Sequence, residues 1–304
     1  MAVYEHNYRR YAGPLTPEWS RFLIIPRHAY RDIFRSKIFI GFFVACFVPL
    51  LVEAILIYLH HNVNALAIMK INVRELLPID ASFFETFVSI QAAFSFLLTL
   101  LVGPPLVARD LRNNALPLYL CRPFSRSEYV FGKMSVVLIL LSAITWIPQL
   151  VLFGFQSYLE GFSWFADNLA LANAIFLSSI AWILVLTLLS QTISSLVKWR
   201  VAASAALLGL YLIPSVFSEV VNQIFGTRWG HLISVDALRR SITSGLFGTF
   251  VQTTQGVTDF GPGGFREVTL TEPPLFVSWF MLFLLCAGCL AILSKRVKAY
   301  EVVS

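Results

Sequence analysis

Charge is what this sequence has least of: 13% of its residues are Asp, Glu, Lys or Arg, against the roughly 25% of a soluble domain. With 57% hydrophobic residues, that scarcity excludes a soluble globular protein and points to an integral membrane protein. Nucleotide chemistry is missing as well. No Gly-x-x-x-x-Gly-Lys-Ser/Thr phosphate loop occurs, so the chain cannot cradle a nucleotide in the usual NTPase manner. There is no His-Glu-x-x-His, no Gly-x-Ser-x-Gly and no paired-cysteine zinc spacing, which leaves those hydrolytic and metal chemistries without their residues. Cysteine is limited to four positions. Cys46, Cys286 and Cys289 fall inside apolar runs and Cys121 lies in a polar segment, so no disulfide framework is expected. Cys286 and Cys289, three apart beside Ala287 and Gly288, read as close helix packing rather than a metal or redox site.

What the chain does contain is six apolar runs, near 38–59, 83–107, 134–158, 168–197, 201–223 and 273–294. Each matches the roughly 20 residues with which a helix crosses a hydrocarbon core. No ten-residue alternation of the outer-membrane strand type dominates. The expected fold is therefore an all-α integral membrane protein with six transmembrane helices in a single domain over 1–304. Residues 1–37 are too polar for a signal peptide and the first run is too long for a signal h-region, so the first span is expected to stay uncleaved.

Lys and Arg set the orientation, because short positively charged loops stay in the cytoplasm. With both termini inside, 17 of the 23 basic residues are cytoplasmic, including Arg27, Arg31, Arg35, Arg109, Arg112, Arg122, Arg126, Lys133, Lys198 and Arg200. Four of the six others, Arg228, Arg239, Arg240 and Arg266, lie in one long loop that counts for little. The sequence pI of about 9.3 thus implies anionic lipid headgroups and no nucleic-acid partner.

Before the first span, Tyr30, Ile33 and Phe34 share one helical side while Arg27, Arg31 and Arg35 recur every four residues on another. This predicts an interfacial amphipathic helix, an anchor or an elbow that shifts with the first span. Pro49, Pro148 and Pro214 sit centrally in spans 1, 3 and 5 and mark these as the spans expected to bend. Pro104-Pro105 is expected to end span 2 and Pro273-Pro274 to open span 6. Spans 4 and 5 are joined by Lys198-Trp199-Arg200, so they must form an antiparallel hairpin. Small residues from Ala202 to Gly209 allow close packing, within the hairpin or at a subunit interface. In the external loop 224–272, Val235, Leu238, Ile242 and Leu246 recur at helical spacing and predict a short helix over the outer mouth, followed by a Gly-rich loop from Gln255 to Gly264.

Within the spans, ionisable groups are rare. Glu53 and Glu219 lie toward the outer halves of spans 1 and 5 and are either solvated at the interface or line a pathway. Gln91, Gln149 and Gln191 read as helix glue rather than a proton relay. His60, His61, Met69 and His231 could suggest a soft-metal site, but adjacent histidines on a helix point about 100° apart and rarely share an ion. Phe, at 27 residues, and the intramembrane Trp146 and Trp182 fill a core by default and line an apolar route in the sharper reading.

The polar interlude at 108–133 is the most specific segment. It follows Gly103-Pro104-Pro105, presents Arg109-Asp110-Leu111-Arg112, runs through Leu116 and Leu118 to Arg122-Pro123, and closes Ser125-Arg126-Ser127-Glu128-Tyr129-Val130-Phe131-Gly132-Lys133. An apolar ridge with a charged rim suits a helix that docks in a groove and suits a membrane-surface linker equally well. The whole segment resembles the link between spans 2 and 3 in permease subunits of ATP-binding-cassette exporters of the type-two permease family. There an acidic-basic stretch, a leucine-rich run, a proline and Ser-Arg-x-Glu-Tyr precede Gly-Lys. Two positions depart from the pattern. Asn113-Asn114-Ala115 stands where Gly-Thr is common, and Asp110 stands for the more usual Glu.

What the resemblance implies is a bacterial or archaeal inner-membrane permease that works with a second permease subunit, identical or different, and with two cytoplasmic ATPase subunits that hold the ATP and magnesium. No cofactor or metal is expected in this chain. A coupling helix near 109–121 would dock on the ATPase through Arg109, Asp110, Leu111, Arg112 and Leu116, with Arg122 and Arg126 positioned at the interface and Glu53 and Glu219 as weaker pathway candidates. Two rival readings are a membrane anchor for an extracytoplasmic complex, with an external partner at 224–272, and an intramembrane lipid-modifying enzyme. The second would need clustered polar residues at one depth, which the scattered Glu and Gln do not supply.

Overall fold

The computed structural model describes residues 23–62, 78–113, 126–197, 199–250, 253–257 and 267–296. Leu116, Arg122, Cys121 and Met69 lie outside the described residues. Among the described residues, six helical stretches are long and apolar enough to cross a membrane. Helix α1 (Ile24–Ile33) precedes span 1, which is made of α2 (Lys37–Ala45) and α3 (Val48–His61); α4 (Ala81–Arg112) is span 2. Span 3 is α5 (Arg126–Ile144) and α6 (Trp146–Glu160), α7 (Phe162–Asp167) is a short connector, α8 (Leu169–Leu196) is span 4 and α9 (Arg200–Phe225) is span 5. A 3₁₀ turn (Trp229–Ile233) and α10 (Val235–Phe247) follow, then β1 (Thr253–Val257), β2 (Glu267–Thr271) and span 6, α11 (Leu275–Arg296). Helix α1, the end of α4, the start of α5 and the end of α11 share one pole, here termed proximal. The segment between spans 5 and 6 lies at the distal pole.

Span 4 is the hub, touching spans 2, 3, 5 and 6 as well as α10. It is built for close approach: Ser178, Ser179, Thr187, Ser190, Thr192, Ser194 and Ser195 are all buried, and small residues let backbones pack where lipid offers no hydrophobic drive. Most of these hydroxyls bond back to their own helix, as Ser178 does to Ala174 C=O (2.6 Å) and Thr192 to Leu188 C=O (2.7 Å). Trp182 of span 4 is core, donating its indole N–H to Ala92 C=O (3.1 Å) and Ser95 Oγ (3.0 Å) of span 2. Phe96 stacks on Tyr211 with ring centroids 4.0 Å apart.

The prolines behave unequally. Spans 1 and 3 each break into two helices just before Pro49 and Pro148. Span 5 stays one unbroken helix through Pro214. Span 2 likewise passes Pro104-Pro105 and continues to Arg112 instead of ending there. The reason is local satisfaction. Pro104 vacates the carbonyl of Leu100, and Ser204 of span 5 donates to it (3.0 Å). One turn on, Ser194 of span 4 accepts from Ala108 N–H (2.8 Å) and donates to Pro104 C=O (2.6 Å), placing its hydroxyl inside the helical ladder. The small-residue start of span 5 thus packs within the bundle, with Ala203 and Leu207 fully buried. Gly288 faces open space instead, so Cys289 rather than Gly288 makes the span 6 contact with span 4, and a Cβ on Gly209 would meet only Ile213 of its own helix at 3.6 Å.

At the distal pole, α10 follows its predicted periodicity. Ser234 caps it by accepting from Ala237 N–H (3.2 Å), and Gly248 at φ +74° ends it. Beyond it, Gln255 and Gly256 are strand, not loop. The β-branched run Glu267-Val-Thr-Leu-Thr271 pairs with them antiparallel, Thr253 opposite Thr271 and Val257 opposite Glu267.

Candidate functional site

The proximal pole holds the feet of the 108–133 segment, and they are tied together. Asp110 is in the last turns of α4, and Tyr129 and Lys133 are one helical turn apart on the first turns of α5. That i,i+4 spacing brings both to one carboxylate. Lys133 Nζ stands 2.8 Å from Asp110 Oδ2, and Tyr129 Oη donates to the same oxygen at 2.8 Å. The ammonium also lies over the Tyr129 ring, 5.7 Å from its centroid. Tyr129 is 1% exposed and Lys133 is 7% exposed, so the pair is charge-assisted, hydrogen-bonded and shielded from water.

The sequence nominated Asp110 as a docking residue, and here its carboxylate points into the clasp. Arg112, the last residue of α4, is exposed. Arg109 and Leu111 lie within α4, and Arg126 opens α5. Lys133 and Tyr129 were not among the nominated residues, although their spacing at the apolar start of span 3 was a usable signal. Helix α1 braces the same corner: the Tyr30 hydroxyl donates to Val136 C=O (2.8 Å), one turn past Lys133.

The two pathway candidates lie apart. Glu53 is fully buried between spans 1 and 3, accepting from Gln149 Nε2 at 2.9 Å. Gln91 of span 2 donates to the carbonyls of Cys46 (3.0 Å) and Ile144, the residues at which spans 1 and 3 break. Ile144 is the residue whose partner Pro148 removes. The glutamine amides are therefore fasteners across the broken helices.

Glu219 sits at the distal end of span 5, 3.7 Å from His231 Nε2. It lines a polar cavity of about 340 Å³ together with Glu85, Ser89, Arg228, Arg240 and Glu272, among others. Glu272, held between His231 (3.8 Å) and Arg228 (3.1 Å), titrates below its ordinary value, through His231 first and Arg228 second, although burial opposes the shift. Arg239 of α10 points inward. It is 8% exposed, pairs with Asp236 at 3.2 Å, reaches Ser89 at 3.4 Å and lies over the Trp182 ring. Sequence reading counted it only as a loop charge. The histidines do not converge: His61 bonds Glu160 at 2.6 Å and Ile57 C=O at 3.0 Å, far along the chain from His231.

Comparison with the curated proteins gives no match. The family model described as ABC-2 family transporter protein matches residues 23–293, from the start of α1 almost to the end of span 6. A bundle of six apolar helices with a clasped polar link between spans 2 and 3 thus meets a match over most of its length, and the chain belongs to the ABC-2 family of transporter proteins.

Proposed function

We propose that this permease is an exporter driven by ATP hydrolysed on separate cytoplasmic ATPase subunits, which dock on the segment between spans 2 and 3. The clasp of Asp110 with Lys133 and Tyr129 is the observation that carries this reading. A push on a link whose two feet are independent would bend one helix or the other. A push on a link whose feet share a buried ion pair moves spans 2 and 3 as a unit. Span 2 is in turn stitched to span 4 at Ser194 and to span 5 at Ser204, so the displacement reaches the hub of the bundle. In this reading Arg109, Leu111, Arg112, Leu116, Arg122 and Arg126 meet the ATPase, while Asp110 sets the geometry from which they project. The proximal pole is cytoplasmic and the distal pole, with Glu219 and α10, faces out. Spans 1, 5 and 6 leave most of their apolar surface exposed, room for lipid and for a second permease subunit.

The test is to purify the protein from its native membrane, identify what comes with it, and measure ATPase stimulation in the reconstituted complex. An ATP-binding-cassette subunit should co-purify. Arg112→Glu should cut the stimulation while leaving thermal unfolding unchanged, because Arg112 is exposed. Wild-type stimulation in both Arg112→Glu and Leu116→Asp would sink the docking assignment.

A further inference from the structure

Spans 1 and 3 run side by side in the same direction. Glu53 of α3 meets Gln149 of α6, Ile57 and Phe153 share an apolar cluster one turn on, and His61 meets Glu160 at the distal end. Glu53 is 0% exposed. Its Oε2 takes the single hydrogen bond from Gln149 Nε2, 2.9 Å. The other oxygen of each group, Glu53 Oε1 and Gln149 Oε1, is buried with no hydrogen-bond partner among the described residues.

Two planar groups that already share one N–H···O bond therefore each present a bare acceptor. A carboxylate cannot fill that gap, because it has only acceptors, whereas a carboxylic acid carries one O–H donor. We infer that Glu53 is a proton-binding site: its Oε1–H donates to Gln149 Oε1 and closes a two-point acid–amide pair between spans 1 and 3. One added proton satisfies both bare oxygens.

The ionised alternative has nothing to support it in the surroundings. Neither α3 nor α6 contains a lysine or arginine. On α3 the other titratable groups are Tyr58, His60 and His61, all at the distal end of the helix, where Tyr58 accepts from Asn62 and His61 bonds Glu160. Facing α3, α6 offers only Glu160 and Tyr158, also at the distal end, and the Gln91 N–H groups of α4 are spent on the Cys46 and Ile144 carbonyls. Glu85 of α4 accepts from Thr249 at 2.5 Å. A carboxylate in this position would be a buried charge with one hydrogen bond and no counter-ion, an arrangement native structures avoid.

The consequence is a linkage between protons and shape. The proton is held while span 1 lies against span 3. Separating them admits water, the Glu53 O–H bond dissociates, the proton passes to water and the carboxylate stays hydrated. Protons therefore favour the closed arrangement of the two broken spans, and opening releases one. This does not depend on how the ATPase docks.

Infrared spectroscopy on the full-length protein in lipid nanodiscs tests it. At neutral pH the protein should show a carboxylic-acid C=O band, Glu53→Gln should remove it, and Gln149→Leu should move it to the position of an acid with no hydrogen-bond donor. Thermal unfolding should fall as the pH is raised into the alkaline range and be flat in Glu53→Gln, since a group protonated only when native loses stability with rising pH. If Glu53→Gln does not fold, the wild-type band and its shift in Gln149→Leu decide. Absence of the band at neutral pH, or a band that survives Glu53→Gln or is unmoved in Gln149→Leu, overturns the assignment.

Discussion

Removing Asp110 should cost far more than losing a surface ion pair, and the difference is measurable. Asp110→Ala leaves the Lys133 ammonium, 7% exposed, and the Tyr129 hydroxyl, 1% exposed, without the oxygen they share. Stripping one partner from a buried pair costs about 3–5 kcal/mol because the surviving charge stays desolvated. An exposed pair is worth about 0–1 kcal/mol. Lys133→Met should cost a comparable amount. The double variant Asp110→Leu/Lys133→Met buries no charge and should recover most of the loss, as apolar replacements of buried pairs commonly do.

Unfolding of the four proteins in one detergent gives the coupling energy of the cycle, the two single losses less the loss in the double variant, expected to exceed about 3 kcal/mol. Single variants within about 0.5 kcal/mol of wild type, adding without coupling, would show that Lys133 reaches water along its aliphatic stem and that the clasp is weak. The same variants separate stability from transmission. A stable double variant that still fails to stimulate its ATPase would assign the charges a role in coupling beyond holding the fold.

Three further outcomes follow from the packing. Gln91→Leu removes both donors from the carbonyls of Cys46 and Ile144; interhelical bonds in membranes average about 0.6 kcal/mol and reach about 1.7, so a loss of about 1–3 kcal/mol is expected in detergent unfolding, and none would show that water or a lipid carbonyl takes over. A Cβ on Gly103 would lie 2.7 Å from Ser190 Cβ and 2.8 Å from its Oγ; Gly103→Ala should cost about 1–3 kcal/mol by overpacking, and Ser190→Gly should restore it, so a lasting loss in the pair would place the strain elsewhere. Glu272 titrates below its ordinary value of about 4.5 because of His231 and Arg228; its stabilisation is present above that value and lost as the pH falls through the lower folded value, a step that acid unfolding should show in wild type and not in Glu272→Gln.

Span number, the spans 4 and 5 hairpin, the α10 periodicity and the polar link were all readable because each is written in residues close together. Val235, Leu238 and Ile242 are three and four apart and are buried together. The fate of the prolines was not readable, since it is decided by residues far away in the chain. At the third-span break, Gln91, 53 positions from Ile144, only donates to the vacated carbonyl. Thr145 there turns away from helical geometry at φ −107° and ψ −99°, and Gln91 caps the first half-helix. At Pro104, Ser194 both accepts from Ala108 and donates to Pro104 itself, 90 positions away. That hydroxyl bridges the rung one turn past the Leu100 carbonyl, which Pro104 vacates and Ser204 fills, and the helix continues. At Pro104 and Pro148 proline thus removes a bond, and the freed carbonyl takes its donor from a side chain of another helix. Spans 1 and 3 are the broken spans, joined across their breaks by Gln91 and above them by Glu53 with Gln149. Span 2 runs unbroken from Ala81 to Arg112 and ties the helix that carries Asp110 to span 4, the hub.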